Sequence, residues 1–206
     1  MAQARRKKGN GKNITHQVSH GLREGALLIL GAMAIFLLVS LVSYHPADPG
    51  WSNSGEVARI NNAGGIIGAW LADILLYLFG YLAYLLPIMV GYSGWLVYRG
   101  HTPMGGIDLH VLAVRWSGFL LTVGAGCGLA SMEPGASNHF LPAGAGGVLG
   151  SVTWNSLADV VSPVGATLFL LALFLTGVTL FTGISWLVVM DVVGKYSLLA
   201  FDYVYE

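Results

Sequence analysis

The feature that most constrains this chain is a set of apolar stretches too long and too unbroken for the core of a small soluble domain. Residues 25–44 contain no charged side chain; as a helix rising 1.5 Å per residue they would measure about 30 Å, the hydrocarbon thickness of a bilayer. That length also exceeds the roughly 7 to 15 apolar residues of a cleavable leader, so the segment reads as a retained anchor. The composition agrees: 55% of the 206 residues are hydrophobic and 10% charged, with a mean hydropathy of +0.68, against roughly 25% charged in an ordinary soluble protein. The fold expected is an all-α membrane protein.

The formal net charge of zero conceals an asymmetry. Arg5, Arg6, Lys7, Lys8, Lys12 and Arg23 all precede the first apolar run, and such a block holds its end of the chain on the cytoplasmic side. Residues 1–23, basic and rich in Gly, Asn and Gln, are read as a cytoplasmic tail with too little apolar surface to fold alone. Clustered cations attract phosphates of lipid or nucleic acid alike, but no aromatic interrupts the cluster to stack on a base, so setting topology is the simpler role.

Downstream, Pro46 and Pro49 must stop the first helix, and Trp51 suits the headgroup layer. Residues 64–98 are almost continuously apolar, about 50 Å as one helix, too long for one crossing and too short for two. The break is placed at Asp73: residues 65–72 lie on the outer surface, and the carboxylate caps a second span over 73–98. Pro87 is expected to kink that span, and Arg99 ends it. A third span covers 111–131, with Arg115 near enough to its end to snorkel. Gly118, Gly124, Gly126 and Gly128 make this helix small-sided, and the Gly124–Gly128 spacing allows close helix approach. The connection to Pro163 has no Lys or Arg and one modestly apolar insert over 148–161. A fourth span follows at 164–189, then an interfacial segment at 191–206.

The domain plan is therefore a tail at 1–23, a four-helix membrane domain at 24–190 and an interfacial exit at 191–206. The cations Arg5, Arg6, Lys7, Lys8, Arg23, Arg99 and Arg115 place both termini and the middle connection in the cytoplasm, leaving the first and third loops, with their short surface segments, outside. A weak internal echo crosses this plan. Gly64-Gly65-Ile66-Ile67-Gly68 with Leu71-Ala72-Asp73 returns as Gly146-Gly147-Val148-Leu149-Gly150 with Leu157-Ala158-Asp159. The spacing differs, so either a duplicated span, surface segment and returning span, or the chance likeness of glycine-rich apolar sequence, accounts for it.

Little in the sequence points to catalysis. Gly91-Tyr92-Ser93-Gly94 is similar to the nucleophile motif of intramembrane rhomboid proteases, but a serine needs a histidine within reach. His16, His20, His45, His101, His110 and His139 all fall in the tail or connections. Asp73, Asp159 and Asp191 sit near the expected interfaces, so a four-span transporter or channel, the alternative reading, has no ionisable path through the core. No Gly-x-x-x-x-Gly-Lys-Ser/Thr phosphate loop occurs. No metal-ligand spacing is seen, and Cys127 is a lone packing thiol. No catalytic, cofactor or metal residue is assigned. The positions expected to matter for structure and assembly are Asp48, Pro49, Trp51, Gly64, Gly65, Asp73, Pro87, Gly124, Gly128, Gly146 and Gly147.

Several motifs carry more. Tyr44-His45-Pro46-Ala47-Asp48-Pro49-Gly50-Trp51-Ser52, Asn62-Ala63-Gly64-Gly65-Ile66-Ile67-Gly68-Ala69-Trp70-Leu71-Ala72-Asp73 and Phe79-Gly80-Tyr81-Leu82-Ala83-Tyr84-Leu85-Leu86-Pro87 resemble, in order and spacing, the N-terminal signature of the FtsK-type bacterial cell-division DNA translocases. Cys127-Gly128-Leu129-Ala130, Gly146-Gly147-Val148-Leu149-Gly150 and Leu180-Phe181-Thr182-Gly183-Ile184-Ser185-Trp186 extend the likeness over about residues 20–190. The resemblance implies a multi-pass inner-membrane anchor at the division septum that helps assemble the divisome. Its partners would be the lipid bilayer, other division membrane proteins and copies of itself, a hexamer being implied by the family's motor. It also implies that ATP, Mg and double-stranded DNA belong to a C-terminal motor that this chain lacks, and that the chain is a piece of a longer protein. Trp51, Trp70 and Trp154 would supply aromatic surface to partners.

Overall fold

The computed structural model describes the backbone of residues 8–52, 60–99, 109–132 and 141–205, and the side chains of 21–52, 60–99, 110–132 and 141–198. The described residues form helices and connecting turns, with no strand. In order these are α1 (Lys8–Val42), α2 (Gly65–Phe79), a 3-10 turn (Gly80–Tyr84), α3 (Leu85–Arg99), α4 (Leu109–Ala130), α5 (Gly147–Thr182) and α6 (Trp186–Tyr205). Four segments are long and apolar enough to cross a membrane: Gly21–Val42, Gly65–Arg99, His110–Ala130 and Gly147–Thr182.

Two antiparallel pairs make up the bundle. In the first, α3 returns along α1: the Tyr84 hydroxyl donates to the Leu41 carbonyl at 3.0 Å, and Gly94 lies against Leu30. In the second, α5 returns along α4: Gly128 lies against Leu170, Gly126 against Phe174, and Gly118 against the Leu180–Phe181 backbone. Between the pairs, α2 runs from the C-terminal end of α1 to the start of α5. Its Ala72 and Leu76 pack on Leu41 and Ala83, and at its far end the Tyr81 amide donates to the Ala145 carbonyl at 2.9 Å. A second core of Met89, Phe119, Val123 and Cys127 joins α3 to α4.

Several sequence expectations are corrected here. The helix of the first span begins at Lys8, inside the stretch read as tail, because extending an established helix by a residue costs far less than starting one. It ends at Val42 rather than at 44. Asp73 does not break the chain: α2 passes through it without interruption, since its carboxylate finds donors elsewhere. The break falls at Gly80, whose φ of 55° is readily adopted by glycine and rarely by residues with a Cβ. The 3-10 turn and α3 then measure together about 30 Å by their rises per residue, enough to cross a bilayer. Pro87 is the third residue of α3; a first-turn amide has no partner within its helix, so the proline removes no bond and needs no kink.

The other boundaries shift less. The third span, expected at 111–131, is α4 at Leu109–Ala130. The apolar insert and fourth span form one element, α5, bent at Ser162 (φ 72°, ψ 159°) before Pro163. α5 ends at Thr182 rather than at 189, capped by Gly183 in the left-handed conformation. The segment expected to be interfacial from 191 is helical from Trp186, whose indole donates to the Leu175 carbonyl at 3.0 Å.

Candidate functional site: a polar latch and two glycine joints

Pro46 and Pro49 stop α1 and turn the chain back over its own end, and this places two carboxylates within the fold. Asp48 is 5% exposed and Asp73 is 3% exposed. Burying an ionised carboxylate is costly unless donors surround it, and each has them. Asp48 accepts from the backbone amides of Asn61 at 2.9 Å and Asn62 at 2.8 Å, and from the Asn61 side chain at 3.2 Å. Asp73 accepts from the Ser52 amide at 2.6 Å, the Ser52 hydroxyl at 2.7 Å and the Tyr44 hydroxyl at 3.3 Å. The loop after α1 is thus tied to the chain entering α2 through Asp48, and to the middle of α2 through Asp73.

Tyr44 feels both acids. Burial, then the charge of Asp73 and its hydrogen bond, push its phenol up to about 12. Gly50 lets the loop close, because a Cβ there would sit 2.6 Å from the Asp73 carboxylate. Trp51 and Trp70 meet edge to face with centroids 6.4 Å apart, both partly open to the surroundings. Asn62 completes the latch: its side-chain amide donates to the Ser40 carbonyl at 2.8 Å, while its side-chain oxygen accepts from the Gly64 amide at 2.8 Å.

Two glycine joints, one beside the latch and one at the far end of α2, have the same local geometry. Gly65 (φ 65°) opens α2 and Gly147 (φ 64°) opens α5. The residue before each, Gly64 or Gly146, sits near φ −83° or −100°. The Gly68 amide donates to the Gly64 carbonyl at 3.1 Å, and the Gly150 amide to the Gly146 carbonyl at 3.0 Å. Gly64 and Gly68 lie against Ser40 near the end of α1; Gly146 and Gly150 lie against Ser131 at the end of α4. At these four positions a side chain would strike its neighbour.

The structure therefore gathers Asp48, Trp51, Gly64, Gly65 and Asp73 around one end of α1, with Pro49 in the same loop, and Gly146 and Gly147 at the matching end of α4. It does not bring Gly124 into a helix seam: no neighbouring atom lies within 4 Å of where its Cβ would be, whereas a Cβ on Gly177 would lie 2.7 Å from the Thr122 amide nitrogen. Gly128 does pack, against Leu170 and Thr153. Arg115, expected to snorkel, donates instead to the Leu180 and Phe181 carbonyls at 3.2 and 2.8 Å, closing the C-terminal end of α5. Arg99 lies over the Trp95 ring. Arg5, Arg6 and Lys7 lie outside the described residues, as does the Lys8 side chain.

The residues missed from sequence are Ser40, Tyr44, Ser52, Asn62, Gly80 and Gly177. A polar residue inside the first apolar run was the available signal for Ser40, and one bordering the second was that for Asn62. The Ser93 hydroxyl donates to the Met89 carbonyl at 2.8 Å, an ordinary bond back along its own helix. Among the described residues no group of three His, Cys, Asp or Glu could hold a metal ion. The arrangement fastens helices and shapes a surface.

The sequence family described as the 4TM region of DNA translocase FtsK/SpoIIIE matches residues 19–194. Similar proteins include the DNA translocase FtsK of Shewanella oneidensis, 42% identical over 180 residues, covering 87% of this chain and 19% of that protein. Those of Pseudomonas syringae pv. syringae and Pseudomonas aeruginosa are 39% and 38% identical, each covering 90% of this chain and 23% of the relative. The chain thus spans about a fifth of the length of these curated relatives. No solved structure matches.

Proposed function

Because the chain belongs to the family of the 4TM region of DNA translocase FtsK/SpoIIIE, we propose that it is the membrane anchor and divisome-assembly module of a translocase that couples cell division to chromosome segregation. The observation that carries this reading is the extent of the match, residues 19–194, which takes in all four candidate spans from Gly21 to Thr182. ATP hydrolysis, Mg and double-stranded DNA are assigned to the motor of the whole protein. No residue of this segment is given a catalytic or cofactor role.

The distribution of Lys and Arg supports an orientation with both termini in the cytoplasm and the latch outside. In that orientation α2 and the 147–161 arm of α5 lie toward the outer membrane surface, presenting Trp51 and Trp70 to other membrane proteins of the divisome. α6, with Leu187, Val188, Met190, Val192, Val193 and Leu198 exposed, lies along the inner surface. The module sits in the bacterial inner membrane at the septum and assembles with copies of itself, six being the number a hexameric motor implies.

The test is to express the 206-residue chain, fused to a fluorescent protein at its C-terminus, in cells depleted of the whole translocase. Septal bands and restored constriction are expected. Correct insertion with even fluorescence around the envelope and no rescue would overturn the reading.

A further inference from the structure

The two halves of the chain repeat each other more closely than their sequences show. The left-handed residues that open α2 and α5, Gly65 and Gly147, are 82 positions apart, and so are the left-handed residues that end the first arm of each half, Gly80 (φ 55°) and Ser162 (φ 72°). The turn bonds repeat at the same offset: the Gly65 amide donates to Asn62 and the Gly147 amide to Gly144, at 2.9 and 3.2 Å. The hydroxyl oxygens of Ser40 in α1 and Ser131 after α4 lie against Gly64 and Gly68 and against Gly146 and Gly150, respectively, which aligns Phe36 with Cys127 and Ile35 with Gly126.

This correspondence exposes an unfilled position. On the second half, the surface formed by Val123, Gly126, Cys127 and Ala145 is covered by the end of the first half's arm. The Cys127 thiol donates to the Phe79 carbonyl at 3.3 Å and the Tyr81 amide to the Ala145 carbonyl at 2.9 Å; Leu82 lies 3.0 Å from where a Gly126 Cβ would be. On the first half, the corresponding surface is an open apolar groove of about 490 Å³ lined by Ala32, Ile35, Phe36, Val39, Ala63 and Gly64. The second half's equivalent of the covering segment is equally bare, with Val161, Val164 and Leu168 at 48, 72 and 65% exposure.

Apolar exposure on a membrane helix ordinarily means lipid. These two surfaces differ in that the chain already contains the joint that would cover them. Their sizes are also exchanged: Ile35 and Phe36 stand where the filled surface has Gly126 and Cys127, while Val161 and Val164 stand where the covering segment has Phe79 and Leu82. The bulk lost from the knob has moved into the groove, which keeps the fit.

We propose that a second copy of this chain fills the groove, with Val161 and Val164 of one protomer seated against Ile35, Phe36 and Ala63 of the next. Because groove and knob lie on different surfaces of one protomer, the contact is heterologous and passes from copy to copy, closing into a ring if the rotation allows. It rests on the internal geometry and not on the anchor reading.

The test is cysteine pairing in native membranes. Chains carrying Ile35→Cys and chains carrying Val164→Cys, co-expressed and oxidised, should give a disulfide-linked dimer, and a chain carrying both should give a ladder of higher species. Ile29→Cys, on another exposed face of α1, should give none with Val164→Cys. Adding Ala32→Trp to the double-cysteine chain, to fill the groove, should abolish the ladder while leaving the amount of inserted monomer unchanged. Absence of cross-linking, equal cross-linking at Ile29, a Val164→Cys homodimer as the sole product, or a ladder that survives Ala32→Trp would each overturn the proposal. None of these outcomes bears on septal localisation.

Discussion

At the scale of single residues, the latch depends on how many donors each carboxylate holds. Asp73 accepts three hydrogen bonds, two of them from Ser52. Asp73→Ala strands those donors in a site that is nearly closed, and should cost about 2–3 kcal/mol. Tyr44→Phe removes only the long bond from the phenol, leaves Asp73 its two shorter ones, and should cost about 0.5–1.5 kcal/mol. Unfolding curves in mixed detergent micelles should rank the variants in that order; equal midpoints would mean the latch adds nothing. Tyr44 also sets a pH limit. Its folded value of about 12 lies above the ordinary 10, so the neutral phenol is what the fold favours. The stability it contributes is complete below pH 10 and is lost as pH rises toward 12. A tyrosinate absorbance titration of the native chain should contain a high-pH contribution that is lost in Tyr44→Phe.

The elements turn at glycines, and the reason differs from one position to the next. Gly65 and Gly147 share a left-handed φ, but Gly65 has open space where a Cβ would be, whereas at Gly147 a Cβ would lie 2.5 Å from the Leu78 carbonyl group. Gly65→Ala should therefore cost only the backbone term, about 1–2 kcal/mol. Gly147→Ala should cost clearly more, because Leu78 contributes backbone atoms that cannot swing aside. The α4–α5 seam follows the same logic. Gly177→Ala would strike the Thr122 amide and the Gly118 carbonyl, a loss of about 1–3 kcal/mol. Gly124→Ala meets nothing and should be neutral or gain up to about 1 kcal/mol of helix propensity. Thermal midpoints of the four variants in one detergent would check both pairs; a destabilised Gly124→Ala would restore the GxxxG seam. A spacing of four in sequence selects a helix face but does not say which partner that face meets, so the motif was legible and its use was not.

For the whole molecule, the balance of Lys and Arg predicts both termini and the middle connection inside and the latch outside. A green fluorescent protein fused after Glu206 should fluoresce, and alkaline phosphatase fused after Trp51 should be active. The reverse pattern would invert the bundle and move the latch into the cytoplasm. The number of candidate crossings and their order were legible because each depends on local matters: apolar length, proline geometry and the charges at each end. The helix ends were placed less well, at 182 rather than 189 for α5, since apolar composition continues from that span into α6 and only Gly183 separates them.

Taken alone, the sequence determined that this chain carries four segments long and apolar enough to cross a bilayer, that Pro46 and Pro49 close the first of them, and that Gly64-Gly65 and Gly146-Gly147 begin new elements. These follow from solvation and backbone sterics acting on neighbouring residues. Only the tertiary structure decided that Asp73 lies within a helix instead of starting one, that Gly80 makes the break, and that Arg115 closes the end of α5. Each of those depends on a partner distant in sequence. Ser52 lies 21 residues from Asp73, Ala145 faces Gly80 across a helix pair, and Leu180 is 65 residues from Arg115. A carboxylate, a glycine or a guanidinium is compatible with several local structures, and the distant partner chooses among them.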